Sequence, residues 1–183
     1  FSVPPAGIFG FLGANGAGKT TTMRICLGIL RADAGEVRWN GTPTTELPRS
    51  TWGYLPEERG LYPRMPVLDQ LVYFAALYGL PTDVARREAR HWLARFRIPD
   101  YADRRAEELS KGNQQKVQIA RWLAAESRIL IMIDPTRGVD VGARREIKRI
   151  WSELRAAGHA ILIASTDAEE LVDICDRVLV LRH

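Results

Sequence analysis

Apolar positions along this chain follow two rhythms. Short continuous runs bounded by Gly, Pro or charge read as buried strands. Recurrences at three and four residues read as helix faces. The run "GIFGFLG" (7–13) is a strand candidate closed by glycine. From Gly18 a helix is expected, with Met23, Cys26, Leu27 and Leu30 on one face. "EVRWNG" (36–41) and "TWGYLP" (51–56) read as further strands, the second bounded by Pro48 and Pro56. A helical middle follows. "VLDQLVYFAALYG" (67–79) is apolar on more than one face, and "TDVARREARHWLARF" (82–96) carries a stripe of Ala85, Ala89, Trp92 and Phe96. "GNQQKVQIARWLAAES" (112–127) is a third helix. Strands then return as "ILIMI" (129–133), "AILIA" (160–164) and "RVLVL" (177–181). A helix over 141–157 stands among them, with Ile147, Ile150, Trp151 and Leu154 at helical spacing, and a second helix lies before "RVLVL".

The two ends of the chain alternate strand and helix, while the centre is helical. Continuous apolar strands alternating with helices imply an α/β fold with a parallel sheet covered on both faces. The centre reads as a helical subdomain inserted into that core. No internal repeat or low-complexity linker interrupts it.

Composition narrows the class. With 183 residues, 46% hydrophobic and 26% charged, the chain is an ordinary globular one rather than a disordered one. No apolar run approaches the roughly 20 residues of a membrane helix. The start, "FSVPPAGIFGFLG", lacks an initiator Met and a signal-peptide form, and reads as a chain already under way. The net charge of +4 raises the question of nucleic acid. The basic residues come as scattered pairs (Arg86-Arg87, Arg104-Arg105, Arg144-Arg145), which describe a solvated surface, so no nucleic-acid partner is expected. Cys26 and Cys175 lie far apart on apolar helical faces and read as buried thiols.

The sharpest chemical signal is "GANGAGKT", Gly13 to Thr20. It satisfies G-x-x-x-x-G-K-[ST], follows a strand and opens a helix, the setting this motif needs. Glycines let backbone N–H groups turn towards phosphate oxygens, and the helix N-terminus adds its dipole. The expected nucleotide residues are Gly13, Asn15, Gly16, Ala17, Gly18, Lys19, Thr20 and Thr21. Lys19 would reach the β- and γ-phosphates and Thr20 would ligate Mg²⁺. The alternative is a glycine-rich turn before an ordinary helix. An Asn-Lys-x-Asp guanine-reading motif is absent, which argues against a GTPase.

A second motif carries a family resemblance. "LSKGNQQKVQIARWL" (109–123) resembles the signature sequence of ATP-binding cassette proteins, with Ser110, Lys111, Gly112, Asn113 and Gln114 in the diagnostic stretch. The resemblance runs from Ile8 to Leu181. It implies a P-loop NTPase (RecA-like) core of residues 1–60 and 128–183, with a helical subdomain of residues 61–127. It also implies ATP and Mg²⁺ as ligands, hydrolysis of ATP, a second cassette, and a transmembrane permease subunit at the inner face of the cell membrane. In that family the signature serves ATP held by the other cassette, and Ser110 and Gly112 are expected to lie too far from Gly13–Thr20 of their own chain to serve it; the alternative for this segment alone is a well-capped helix with Ser110 before its start. "GYLPEERGLYPRM" (53–65) resembles the loop joining core to subdomain, with Glu57 where Gln is usual, so Glu57 inherits a metal and catalytic role. "TRGVD" (136–140) resembles the interface loop, its acid being Asp140. The nucleotide loop and the subdomain resemble exporter cassettes, and the C-terminal half also resembles sugar-importer cassettes. The exporter likeness carries more weight because it includes the part that meets the membrane partner.

Two departures touch the chemistry. With Pro135 aligned to the family's Asp-Glu-Pro, Ile133 replaces the Mg²⁺-organising Asp and Asp134 replaces the catalytic Glu. Asp134 is the candidate base, one methylene short, or else it serves the metal and leaves no base. Thr166 stands where a γ-phosphate-sensing His is usual. It is a candidate catalytic residue, though a Thr166–Glu169 capping box for the next helix is the better reading. His159 and His183 read as solvated residues. An ATPase motor and an ATP-binding module with weak hydrolysis both fit.

Overall fold

The computed structural model describes the chain except residues 1, 4, 5, 49, 50, 58, 59, 182 and 183. The reading of His183 therefore lies outside the described residues. Five strands form one sheet in the order β4-β5-β6-β1-β7: β1 (Ile8–Leu12), β4 (Trp52–Leu55), β5 (Ile129–Ile133), β6 (Ala160–Ser165) and β7 (Arg177–Val180). All four pairings are parallel, with Ile8 opposite Ile161, Leu130 opposite Ile161 and Leu55 opposite Met132. The expected parallel sheet is present.

The strands are apolar throughout because both faces are covered. Side chains alternate between faces along a strand. Ile129, Ile131 and Ile133 of β5 join Phe9, Phe11, Met23 and Cys26 on the side of α1 (Lys19–Cys26). Leu130 and Met132 join the opposite cluster, with Ile147, Ile150, Trp151 and Leu154 of α5 (Val141–Ala156). That helix buries the four residues expected of it.

The helical middle is α2 (Val67–Leu77), α3 (Thr82–Arg95) and α4 (Lys111–Ala124). These three pack on one another, and α4 also packs on β4 and α5. On α3, Ala85, Ala89 and Phe96 are buried as expected, but Leu93 replaces the partly buried Trp92 in the core. The short α6 (Ala168–Ile174) precedes β7.

Three local expectations fail. The segment 36–41 does not join the sheet. Only Arg38–Trp39 (β2) is strand, in a hairpin with Thr42–Pro43 (β3). Asn40 and Gly41 sit at φ 47° and 82°, the left-handed pair that a two-residue Asn-Gly hairpin turn requires. Helix α1 stops at Cys26, ahead of Gly28 at φ 65°, so Leu30 leaves the helix and is 42% exposed. Cys175 is not on a helical face. It follows the last turn of α6, with its Sγ about 3.0 Å from where a Cβ on Gly10 would lie.

Candidate functional site

The loop between β1 and α1 is shaped by glycine. Gly16 and Gly18 take φ 87° and 90°, a region open to glycine at little cost. Gly13 is buried, and a Cβ there would meet Ala17 Cβ at 3.0 Å and the Leu181 carbonyl at 3.2 Å. Its N–H donates to Ser165 O across the sheet edge (3.4 Å). Lys19 is 7% exposed and folds back over the loop, its Nζ donating to Gly13 O (2.6 Å) and Ala14 O (3.1 Å). Helix α1 begins at Gly18 without a side-chain cap. Its first N–H groups have no intrahelical acceptors. A buried ammonium, uncapped N–H groups and a glycine-lined turn form a fit for phosphate. Asn15, Gly16 and Thr21 are exposed, and Ala17, Gly18 and Thr20 half-buried, around this opening.

The magnesium side is poorer. The Thr22 hydroxyl donates back to Gly18 O (3.0 Å), whereas that of Thr20 makes no hydrogen bond among the described residues and is available to a metal. At the end of β5, Ile133 is 3% exposed among Phe9, Phe11 and Met23 on the α1 side. An apolar side chain thus stands where the resemblance leads one to expect an oxygen. Among the described residues no group of three His, Cys, Asp or Glu could hold a metal.

Asp134 follows at φ 44°, a left-handed conformation that Asp tolerates better than most residues. Its N–H donates to Ala164 O (2.7 Å), and its Oδ1 accepts the Thr166 N–H (3.2 Å). Two hollows meet at this carboxylate. One, of about 360 Å³, is lined by Pro56, Glu57, Lys111, Gln115, Ile133, Asp134, Arg137 and Gly138. The other, of about 210 Å³, includes Asn15, Thr136, Ser165, Thr166, Asp167 and Glu170. The structure thus brings Asp134, Glu57, Thr166 and the tip of the glycine loop round one strand end. Glu57 is exposed and ion-paired with Arg137.

Thr166 does not cap α6. Asp167 does, its Oδ1 accepting the Glu170 N–H (3.1 Å). The expected Thr166–Glu169 box is displaced by one residue, and the Thr166 side chain is left exposed. Glu170, 5% exposed, accepts from the Thr136 hydroxyl and from Ser165 Oγ (3.0 Å). This buried tie from Glu170 of α6 to the end of β6 and to the loop after β5 was not foreseen. The spacing from Asp167 to Glu170 carried the signal, because Asp caps helices as well as Thr does. His159 is half-buried rather than solvated, with Nδ1 3.2 Å from Leu154 O, and burial lowers its pKa.

At the signature segment, Ser110 is exposed and caps α4, its Oγ accepting the Asn113 N–H (3.3 Å). Asn113 is half-buried and Lys111 exposed. Gly112 is buried, and a Cβ there would lie 2.8 Å from Ala143 Cβ and 3.0 Å from Asp140 Oδ2. Gln114 donates to Ala106 O (3.0 Å) and Leu109 O (3.2 Å). Asp140 caps α5 through Ala143 N–H (2.9 Å). The capped-helix alternative for Ser110 is therefore present in the structure. Ser110 caps its own helix, and Gly112 permits close approach of α4 and α5.

Tyr62, Met65 and Tyr73 line an open hollow of about 620 Å³. Tyr62 stacks on Phe74 (5.8 Å, 6°), and the buried Arg121 guanidinium lies 4.5 Å above that ring. With Tyr62, Tyr73 and Leu77 at 49%, 45% and 63% exposure, this is an aromatic patch on the helical middle.

Comparison with known proteins agrees with this geometry. The ABC transporter family profile matches residues 1–137. The ABC transporter ATP-binding protein YhaQ of Bacillus subtilis (strain 168) is 43% identical over 98% of this chain and 60% of its own length. The chain thus spans about three fifths of that relative. The solved structure of cbiO1 from Clostridium perfringens, part of the ABC transporter complex cbiONQ, matches with TM-score 0.89 and 27% identity over 100% of this chain and 76% of that one. Arabinose import ATP-binding protein AraG 2 of Burkholderia thailandensis is 38% identical, over 100% of this chain and 38% of its own. Nod factor export ATP-binding protein I of Paraburkholderia xenovorans is 37% identical, over 100% of this chain and 61% of its own. The two directions are equally near, so the exporter expectation gains nothing from them. Profile, relatives and fold converge: the chain belongs to the ABC transporter family and carries its ATP-binding domain.

Proposed function

We propose that this chain binds Mg²⁺–ATP at residues 13–21 and hydrolyses it slowly. It would do so in a cassette that pairs with a second cassette and powers a membrane permease subunit. The observation that carries the reading is Lys19, buried and folded over an uncapped helix N-terminus beside two left-handed glycines. In this reading residues 61–127 form the subdomain that faces the permease. The exposed Tyr62, Tyr73 and Leu77 offer the apolar contact such a partner needs. Ser110 and Asp140 face outward at the capped starts of α4 and α5, where a second cassette's ATP would meet them. The cassette would lie on the inner face of the membrane.

Bound Mg²⁺ would neutralise charge on the transferring phosphoryl group. Thr20 is the hydroxyl placed to hold it, and Asp134 is the carboxylate left to accept a proton from the attacking water. Thr166 contributes its backbone N–H, which fixes Asp134, rather than a ring that could touch γ-phosphate. The apolar Ile133 favours weak hydrolysis, compensated by a more competent partner cassette. Titration with a fluorescent ATP analogue tests the binding step. Lys19→Ala should weaken it at least tenfold, and an unchanged affinity would mean the loop is not the nucleotide site.

A further inference from the structure

We propose that Lys116 and Glu146 are positioning residues for the pairing of two cassettes, fixing α4 against α5 so that Ser110 and Asp140 stand together at one edge. This deepens the pairing reading above and rests on it.

Helices α4 and α5 begin side by side. Gly112 lies so close to Ala143 and Asp140 that a Cβ there would meet both. About one turn further along each helix, Lys116 Nζ donates to Oε2 of Glu146. Residues three and four apart share a helix face, so the two contacts lie on one stripe of each helix. The first contact, glycine on alanine, has no directional group and tolerates sliding. The second joins one donor to one acceptor and does not. A slip of one residue along a helix is about 1.5 Å. That is enough to carry the exposed Ser110 out of hydrogen-bond reach of a phosphate held by another chain.

The pair is a poor source of stability. The Lys116 side chain is 8% exposed and that of Glu146 15%, so both charges are largely desolvated. Mutual attraction offsets that loss only when the remaining lone pairs are satisfied. Here Oε1 of Glu146 is buried and makes no hydrogen bond. Its second cation, Arg97, stands 3.5 Å away on a side chain that is 75% exposed, a contact worth little. Two apolar side chains would hold these helices at least as well. What they lack is a single preferred register, the best-attested use of a buried polar pair.

Sedimentation velocity with and without Mg²⁺–ATP reads the dimer, the urea midpoint reads stability, and analogue titration reads the nucleotide site. Lys116→Met leaves the Glu146 charge buried alone and should lower both the midpoint and the dimer affinity. Lys116→Met combined with Glu146→Leu removes that charge and should unfold no earlier than the parent. Analogue affinity should barely change in this double variant. Its ATP-dependent dimer should weaken by about tenfold or more, the loss expected when a hydrogen bond to a charged phosphate is misplaced. Lys116→Arg keeps the pair and should keep the dimer. A double variant that pairs as tightly as the parent overturns the proposal. So does one whose midpoint falls as far as that of Lys116→Met, because the pair would then be holding the fold rather than its register. Either result leaves the pairing reading intact. A parent that binds the analogue but stays monomeric in Mg²⁺–ATP overturns the pairing reading and this proposal with it.

Discussion

The backbone N–H of Thr166 donates to Oδ1 of Asp134 at 3.2 Å, across the ends of two neighbouring parallel strands. Thr166, whose side chain neither caps α6 nor is buried, thus meets the acid at the strand end through its backbone. That acid is held from both sides, because its own N–H is bonded to Ala164 O. Asp134→Asn keeps the shape and the left-handed tolerance but removes the charge. It should leave nucleotide affinity within about twofold and reduce phosphate release by about 10²-fold or more, the usual range for loss of a general base. Steady-state phosphate release beside analogue titration checks this. Full retention of turnover would move the chemistry to another acid.

Restoring two acids tests the apolar strand end. Ile133→Asp with Asp134→Glu should raise turnover by about 10²-fold, roughly 2.7 kcal/mol of barrier, and more than either single change, because metal and base act as a unit. The structure adds a condition. Ile133 is 3% exposed among Phe9, Phe11 and Met23, so a carboxylate there is costly without a cation. Thermal unfolding should show Ile133→Asp less stable than the parent in EDTA, with much of the loss recovered in Mg²⁺–ATP. A double variant no faster than the parent would refute the assignment of this strand end.

Gly112 links packing to pairing. Any side chain there must push Ala143 or the Asp140 carboxylate, which would lie 2.8 and 3.0 Å from its Cβ. Gly112→Ala should cost about 1–3 kcal/mol as overpacking, read from the denaturant midpoint. It should also weaken ATP-dependent dimerisation in sedimentation, because the starts of α4 and α5 are driven apart. Ser110→Glu is the complementary change. It removes the Ser110 cap of α4, which should cost about 1 kcal/mol, and should abolish the dimer through repulsion from γ-phosphate. Dimers that persist in Ser110→Glu would show that this helix start is not the trans contact.

The two thiols should be inert in the folded protein. Burial pushes Cys175 up to about 12, with Glu170 and Asp176 adding to it, and burial also raises Cys26. Thiolate is the reactive form, so a disulfide reagent at pH 8 should titrate neither thiol until denaturant is added. Rapid labelling of the native protein would contradict the packing of Cys175 against Gly10.

Rhythm and spacing alone determined much of this protein. The buried strands, the long amphipathic helices and the glycine loop were legible because each depends on neighbours within a few residues. Met132 and Ile133 must point to opposite faces whatever the fold, and Gly16, Gly18 and Lys19 carry their geometry in their own backbones and reach. What spacing could not show was which chemically similar residue wins a local competition. Asp167 rather than Thr166 caps α6, accepting the N–H of Glu170, whose carboxylate is tied to Ser165 and to Thr136 from the loop after β5. The Asn40-Gly41 turn folds 36–41 into a hairpin instead of a sheet strand. Long-range partners were equally hidden. Arg137 meets Glu57 across 80 positions of sequence, and Gly112 is small because a helix starting at Val141 crosses it. Those contacts exist only once the parallel sheet sets β4 beside β5 and carries the loops that follow to the same edge.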